Sequence, residues 1–76
     1  CKVIAITDKA FLKKFGDNLR KIRKEKKLTQ EALSYKSELE YSQISRIERG
    51  EINTTICTIK VLAKALNISP KELFDF

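Results

Sequence analysis

The sequence contains no histidine, and its only two cysteines, Cys1 and Cys57, lie far apart without CxxC spacing. That leaves no ligand set for a structural metal centre, and no metal is expected. A disulfide scaffold is disfavoured too, because small secreted domains carry more cysteines at closer spacing. Reduced thiols fit a cytoplasmic setting. Cys57 lies in an apolar-periodic stretch and reads as a small buried hydrophobe. No apolar run approaches the roughly eighteen residues needed to cross a bilayer. Val3-Ile4-Ala5-Ile6 is too short and too poorly flanked for a signal peptide. There is no glycine-rich phosphate loop and no paired nucleophile and base. An enzyme is therefore disfavoured, with no cofactor and no small-molecule substrate. Internal repeats, low-complexity tracts and long linkers are also missing.

What is present fits one small domain. The 76 residues allow one modest core. A domain of this size needs well-packed helices or a partner subunit once disulfides and metals are set aside. Sixteen Lys and Arg against ten Asp and Glu give a net charge of +6. Such a balance favours polyanionic partners, and it governs encounter and non-specific affinity rather than fold.

Residues 1–8 read as a short extended lead-in, and residues 9–76 as the folded domain. From Lys9 to about Lys26, Phe11, Leu12, Phe15, Leu19 and Ile22 recur at helical spacing. Gly16 interrupts that run, as a kink or as the start of a fresh helix, at about 1 kcal/mol relative to Ala. Most basic residues of this stretch fall off the apolar stripe, as a solvated face or as phosphate contacts. Thr29 is placed to cap a second helix that runs to about Ser37. A turn follows at Glu38–Glu40. A third helix starts near Tyr41 and buries Ile44 and Ile47. Gly50 closes it in the left-handed conformation.

A fourth helix spans about Thr55 to Leu66, with Ile56, Ile59, Leu62, Ala63 and Leu66 on one face. Ser69-Pro70-Lys71-Glu72 signals the start of a fifth through a capping box. Its apolar Leu73, Phe74 and Phe76 either pack on the first helix or form a dimer contact. Residues 28–50 thus lay out as two short helices and a tight turn. This helix-turn-helix geometry presents its second helix to the major groove of DNA.

The stretches LTQEALS, ISRIERG and IKVLAKALNISPKELF carry a family likeness. Over roughly residues 15–76 the chain resembles the Xre/Cro helix-turn-helix family, which includes the lambdoid phage repressors and the controller proteins of restriction-modification systems. The resemblance implies an all-α, compact five-helix bundle, lambda-repressor-like, binding operator DNA as a symmetric dimer. By the same resemblance Gln30 matches a phosphate-contacting position. Tyr41, Ser42, Gln43 and Arg46 match base-reading positions. Arg23 and Glu48 match a partly buried ion pair. The sequence departs from the family pattern at three places. Glu38 replaces the usual turn glycine, so it must accept a left-handed conformation or change the turn. Glu40 replaces the Ser or Thr before the third helix and is a poorer cap. Ser34 replaces a small Ala and still suits closely packed helices.

The chemistry of these residues suits base and phosphate recognition. The Gln43 amide matches the donor and acceptor edge of adenine, and Arg46 matches the O6 and N7 edge of guanine. Ser42 suits a base or a phosphate, and Tyr41 a sugar or a thymine methyl. Arg49, Asn53 and Thr54 follow the third helix and are expected along the phosphate backbone. The function expected is sequence-specific binding of double-stranded DNA by a cytoplasmic transcriptional regulator, acting as a homodimer on a palindromic operator, with no membrane contact. The competing reading is an antitoxin-like or scaffold module that binds a protein partner.

Overall fold

The computed structural model describes residues 9–52 and 54–76. The expected lead-in (residues 1–8) and Asn53 lie outside the described residues. Four α-helices follow one another: α1 Lys9–Glu25, α2 Gln30–Ser37, α3 Tyr41–Glu48 and α4 Ile56–Leu66. A 3-10 turn, Pro70–Phe74, ends the series. No strand occurs among the described residues, so the all-helical class stands.

The expected fifth α-helix is a 3-10 turn of five residues, a correction with a physical cause. The Asn18 side-chain amide, buried in α1, donates to the carbonyls of Glu72 and Leu73, both at 2.9 Å. A segment of five residues gains too few propagating bonds to offset α-helix nucleation, and its backbone closes the tighter i→i−3 bonds, Glu72 N–H to the Ser69 carbonyl at 3.0 Å and Asp75 N–H to the Glu72 carbonyl at 3.4 Å. The start signal works as expected in one respect: the Glu72 carboxylate accepts from the Ser69 backbone N–H at 3.0 Å.

Local chemistry sets most helix ends. Thr29 accepts from the Ala32 amide at 3.0 Å, and Thr55 accepts from the Thr58 amide at 3.1 Å. Each satisfies one of the donors that a helix start leaves over. The far ends close on left-handed residues: Lys27, Glu38, Gly50 and Asn67 all have φ between 59° and 72°. After α3 the Gly50 amide donates to Ile47 and the Glu51 amide to Arg46, the paired bonds of a Schellman motif.

The core gathers Phe15 and Leu19 of α1, Leu33 of α2, Ile44 and Ile47 of α3, Leu62, Ala63 and Leu66 of α4, and Leu73. A fully buried Leu or Ile contributes about 1.5–3 kcal/mol relative to exposure. Leu73 is wholly buried. Phe74 and Phe76 instead close over the start of α1. Phe74 lies 5.2 Å from Phe15 and 6.4 Å from Phe11 between ring centres, and Phe76 lies 5.5 Å from Phe11.

Two expectations fail at the start of α4. Ile56 is 84% exposed, and Cys57 is exposed rather than buried. The apolar period continues through the first turn of α4, but among the described residues the neighbouring surface that would cover it does not. Gly16 introduces no break, since α1 runs through it without interruption. Its role is close approach. A Cβ at Gly16 would stand 2.5 Å from the carbonyl oxygens of Ile47 and Glu48. The C-terminal end of α3 therefore rests on the bare backbone of α1.

Candidate nucleic-acid interface

The turn between α2 and α3 sets the angle of α3. Glu38 takes the left-handed conformation (φ 61°, ψ 20°) at the place where the family pattern has glycine. Side chains hold the turn around it. Ser34 Oγ donates to the Leu39 carbonyl, buried Ser37 Oγ donates to the Leu33 carbonyl at 2.7 Å, and the Leu39 amide donates back to Ser37 Oγ at 3.3 Å. Sequence reasoning gave Ser37 no role. A serine on the inner side of a short helix, just before a turn, is the signal that marks it. Glu40 occupies the N-cap of α3 and makes no capping hydrogen bond through its side chain.

On α3, Ile44 and Ile47 point into the core, and the other faces carry polar groups. Tyr41, Ser42 and Arg46 are exposed, and Gln43 is half-buried beside them. These four share the outer side of one helix, as the spacing of inward Ile44 and Ile47 requires. Arg49 follows α3, is exposed, and pairs with Glu51 at 3.3 Å. Thr54 is half-buried.

A buried polar network locks α3 to the rest. Arg23 Nε lies 2.6 Å from Glu48 Oε2, and Arg23 Nη2 donates to Glu48 Oε1 at 3.1 Å. Arg23 Nη1 donates to the Leu28 carbonyl at 2.8 Å. The Gln30 side-chain amide donates to Glu48 Oε1 at 2.9 Å. Arg23 is 7% and Glu48 4% exposed. The two-point Arg–carboxylate contact fixes orientation as well as distance. One carboxylate at the end of α3 thus gathers the middle of α1 and the start of α2. Gln30, expected at a phosphate, commits part of its amide to this network. Because Thr29 caps Ala32, the backbone amides of Gln30 and Glu31 remain at the open start of α2.

The arrangement offers an exposed polar helix on a rigid frame, with cations at its side and uncapped amides at the starts of α2 and α3. Such surfaces recognise phosphates and base edges.

Comparison with known proteins agrees with this geometry. The helix-turn-helix model HTH_3 matches residues 19–73. The chain is 41% identical over 63 residues to the control protein C.BamHI of Bacillus amyloliquefaciens, covering 82% of this chain and 78% of that protein. Among solved structures, the restriction-modification controller protein C.AhdI from Aeromonas hydrophila superimposes with a TM-score of 0.84 at 46% identity, over 86% of this chain and 98% of that one. The controller protein C.Esp1396I, solved as a tetramer with its natural 35 base-pair operator, gives a TM-score of 0.78 at 42% identity, over 86% of each chain. With its turn, its outward α3 and these matches in register, the chain belongs to the HTH_3 helix-turn-helix family.

Proposed function

We propose that this chain binds double-stranded DNA sequence-specifically and regulates transcription, as a homodimer on a palindromic operator. The observation that carries the reading is α3: Ile44 and Ile47 anchor it while Tyr41, Ser42, Gln43 and Arg46 line its outer side. The major groove admits a helix and presents a distinct donor and acceptor pattern for each base pair. Arg46 grips guanine, Gln43 bonds adenine, Ser42 takes a base or phosphate, and Tyr41, half-exposed, meets sugar or a thymine methyl. Gln30, Arg49, Asn53 and Thr54 hold phosphates and so set the register of α3. The controller protein solved with its operator supports the DNA reading. In this reading the protein is not an enzyme and works in the cytoplasm. No helix among the described residues is long and apolar enough to cross a membrane.

Selection of binding sites from random duplex DNA tests the proposal. The expected result is an enriched palindrome whose half-sites are centred about one helical turn apart, or a multiple of it. Arg46→Ala should then relax the preference at one base pair by about 1–3 kcal/mol. No enrichment by the parent chain overturns the reading.

A further inference from the structure

Resting on that reading, one feature of α1 extends the DNA surface beyond the helix-turn-helix. Positions 13, 16, 20 and 23 recur at intervals of three and four, which places them in one row along α1. Two of them touch the frame of α3. Gly16 lies against the Glu48 carbonyl, and Arg23 holds the Glu48 carboxylate. A third, Lys13, has its backbone against Gly50, just past the end of α3. At the far end Lys27 closes α1 in the left-handed conformation, next to Leu28 and the start of α2. The row, continued past the end of α1 by Lys27, therefore runs from the start of α2 to the connection after α3, the two places assigned above to phosphates.

The charges along this row are unequal in a telling way. Lys13 is paired with Asp17 at 3.1 Å. Arg20 and Lys27 are exposed and have no ion pair among the described residues. On the other side of α1, Lys14 and Lys21 likewise have no ion pair among the described residues, and they line a groove together with Asp17 and Asp75. Two faces of one helix thus carry similar numbers of unpaired cations, but only the face of Gly16 and Arg23 lies beside the recognition frame.

We infer that Arg20 and Lys27 form a second phosphate track, which holds the DNA backbone flanking the stretch that α3 reads. The track carries no sequence information. It adds contacts that release counterions and so steepens the dependence of binding on salt.

The test is the slope of log affinity against log salt concentration, measured by fluorescence anisotropy on a labelled random-sequence duplex. The proteins compared are the parent chain, Arg20→Gln, Lys27→Gln and, as an equal charge change on the opposite face, Lys21→Gln. All three sites are exposed, and circular dichroism melts verify that each variant folds. The expected result is a slope lower by about one for Arg20→Gln and for Lys27→Gln, and unchanged for Lys21→Gln. Each of the first two variants then loses about three- to fourfold less affinity than the parent when salt rises fourfold. If the three variants behave alike while the parent slope is steep, the track is overturned and the DNA reading stands. A parent slope near zero overturns both.

Discussion

The two flanks of α1 are held by different mixtures of polar and aromatic contacts. Toward α3 the contact is polar and backbone-limited: Gly16 admits the carbonyls of Ile47 and Glu48, and Arg23 binds the Glu48 carboxylate. Toward the C-terminal turn the outer contact is aromatic, Phe11 and Phe15 meeting Phe74 and Phe76 with only Phe15 fully buried, and beneath it the buried Asn18 amide donates to the carbonyls of Glu72 and Leu73. Aromatic rings slide and tilt at small cost, so the phenylalanine layer tolerates adjustment. A two-point guanidinium–carboxylate contact and a main-chain approach do not. The rigid flank is the one that carries α3. The difference teaches that in this domain orientation is secured by the buried polar groups, while the phenylalanines add burial.

The comparison breaks first at the ion pair. Arg23→Ala or Glu48→Ala should each lower unfolding stability by about 3–5 kcal/mol in urea titrations, because the surviving charge is stranded in a buried place. The double variant should lose clearly less than the sum of the two. Strictly additive losses would show that the pair does not act as a unit.

A smaller loss is expected from Gly16→Ala. Its new methyl meets backbone oxygens that cannot rotate away, and overpacking of this kind costs about 1–3 kcal/mol. The same variant should weaken binding to the selected duplex, since α3 must shift to make room. Retained stability together with unchanged binding would contradict the close approach.

On the aromatic flank Phe11→Ala should cost least, about 0.5–1.5 kcal/mol from the ring contacts and somewhat more with the area lost. DNA affinity at a temperature well below the melt should not change. Should Phe11→Ala reduce binding as much as Gly16→Ala, the division of labour between the two flanks is wrong.

Much of the fold was legible because the signals are local. Apolar spacing located α1 to α4, Thr29 announced a helix start, and Gly50 and Asn67 announced two ends. What was not legible depended on partners far away in the chain. A periodic face does not reveal where the opposing surface stops, so Ile56 and Cys57 were misjudged. The fifth helix looked regular, and its tie to α1 through Asn18, more than fifty residues earlier, has no local signature. Gly16 signalled a break by propensity, and only the arrival of α3 shows the reason for a missing side chain. Arg23 and Glu48 are 25 residues apart and share no local pattern. Family resemblance suggested pairing them, and the structure supplies the geometry. The outward set on α3 followed from the inward spacing of Ile44 and Ile47, whereas the participation of Gln30 in the buried network had no sequence signature.

The left-handed helix ends have a bearing on how far this domain can be improved. Lys27, Glu38 and Asn67 each hold a backbone geometry that a β-carbon disfavours by roughly 1 kcal/mol. The chain has only two glycines, and both stand where another segment presses against α1. Heat tolerance has therefore been left in reserve at exposed corners, and an engineer seeking a hardier scaffold has room at Asn67, away from both the groove-facing helix and the turn that aims it.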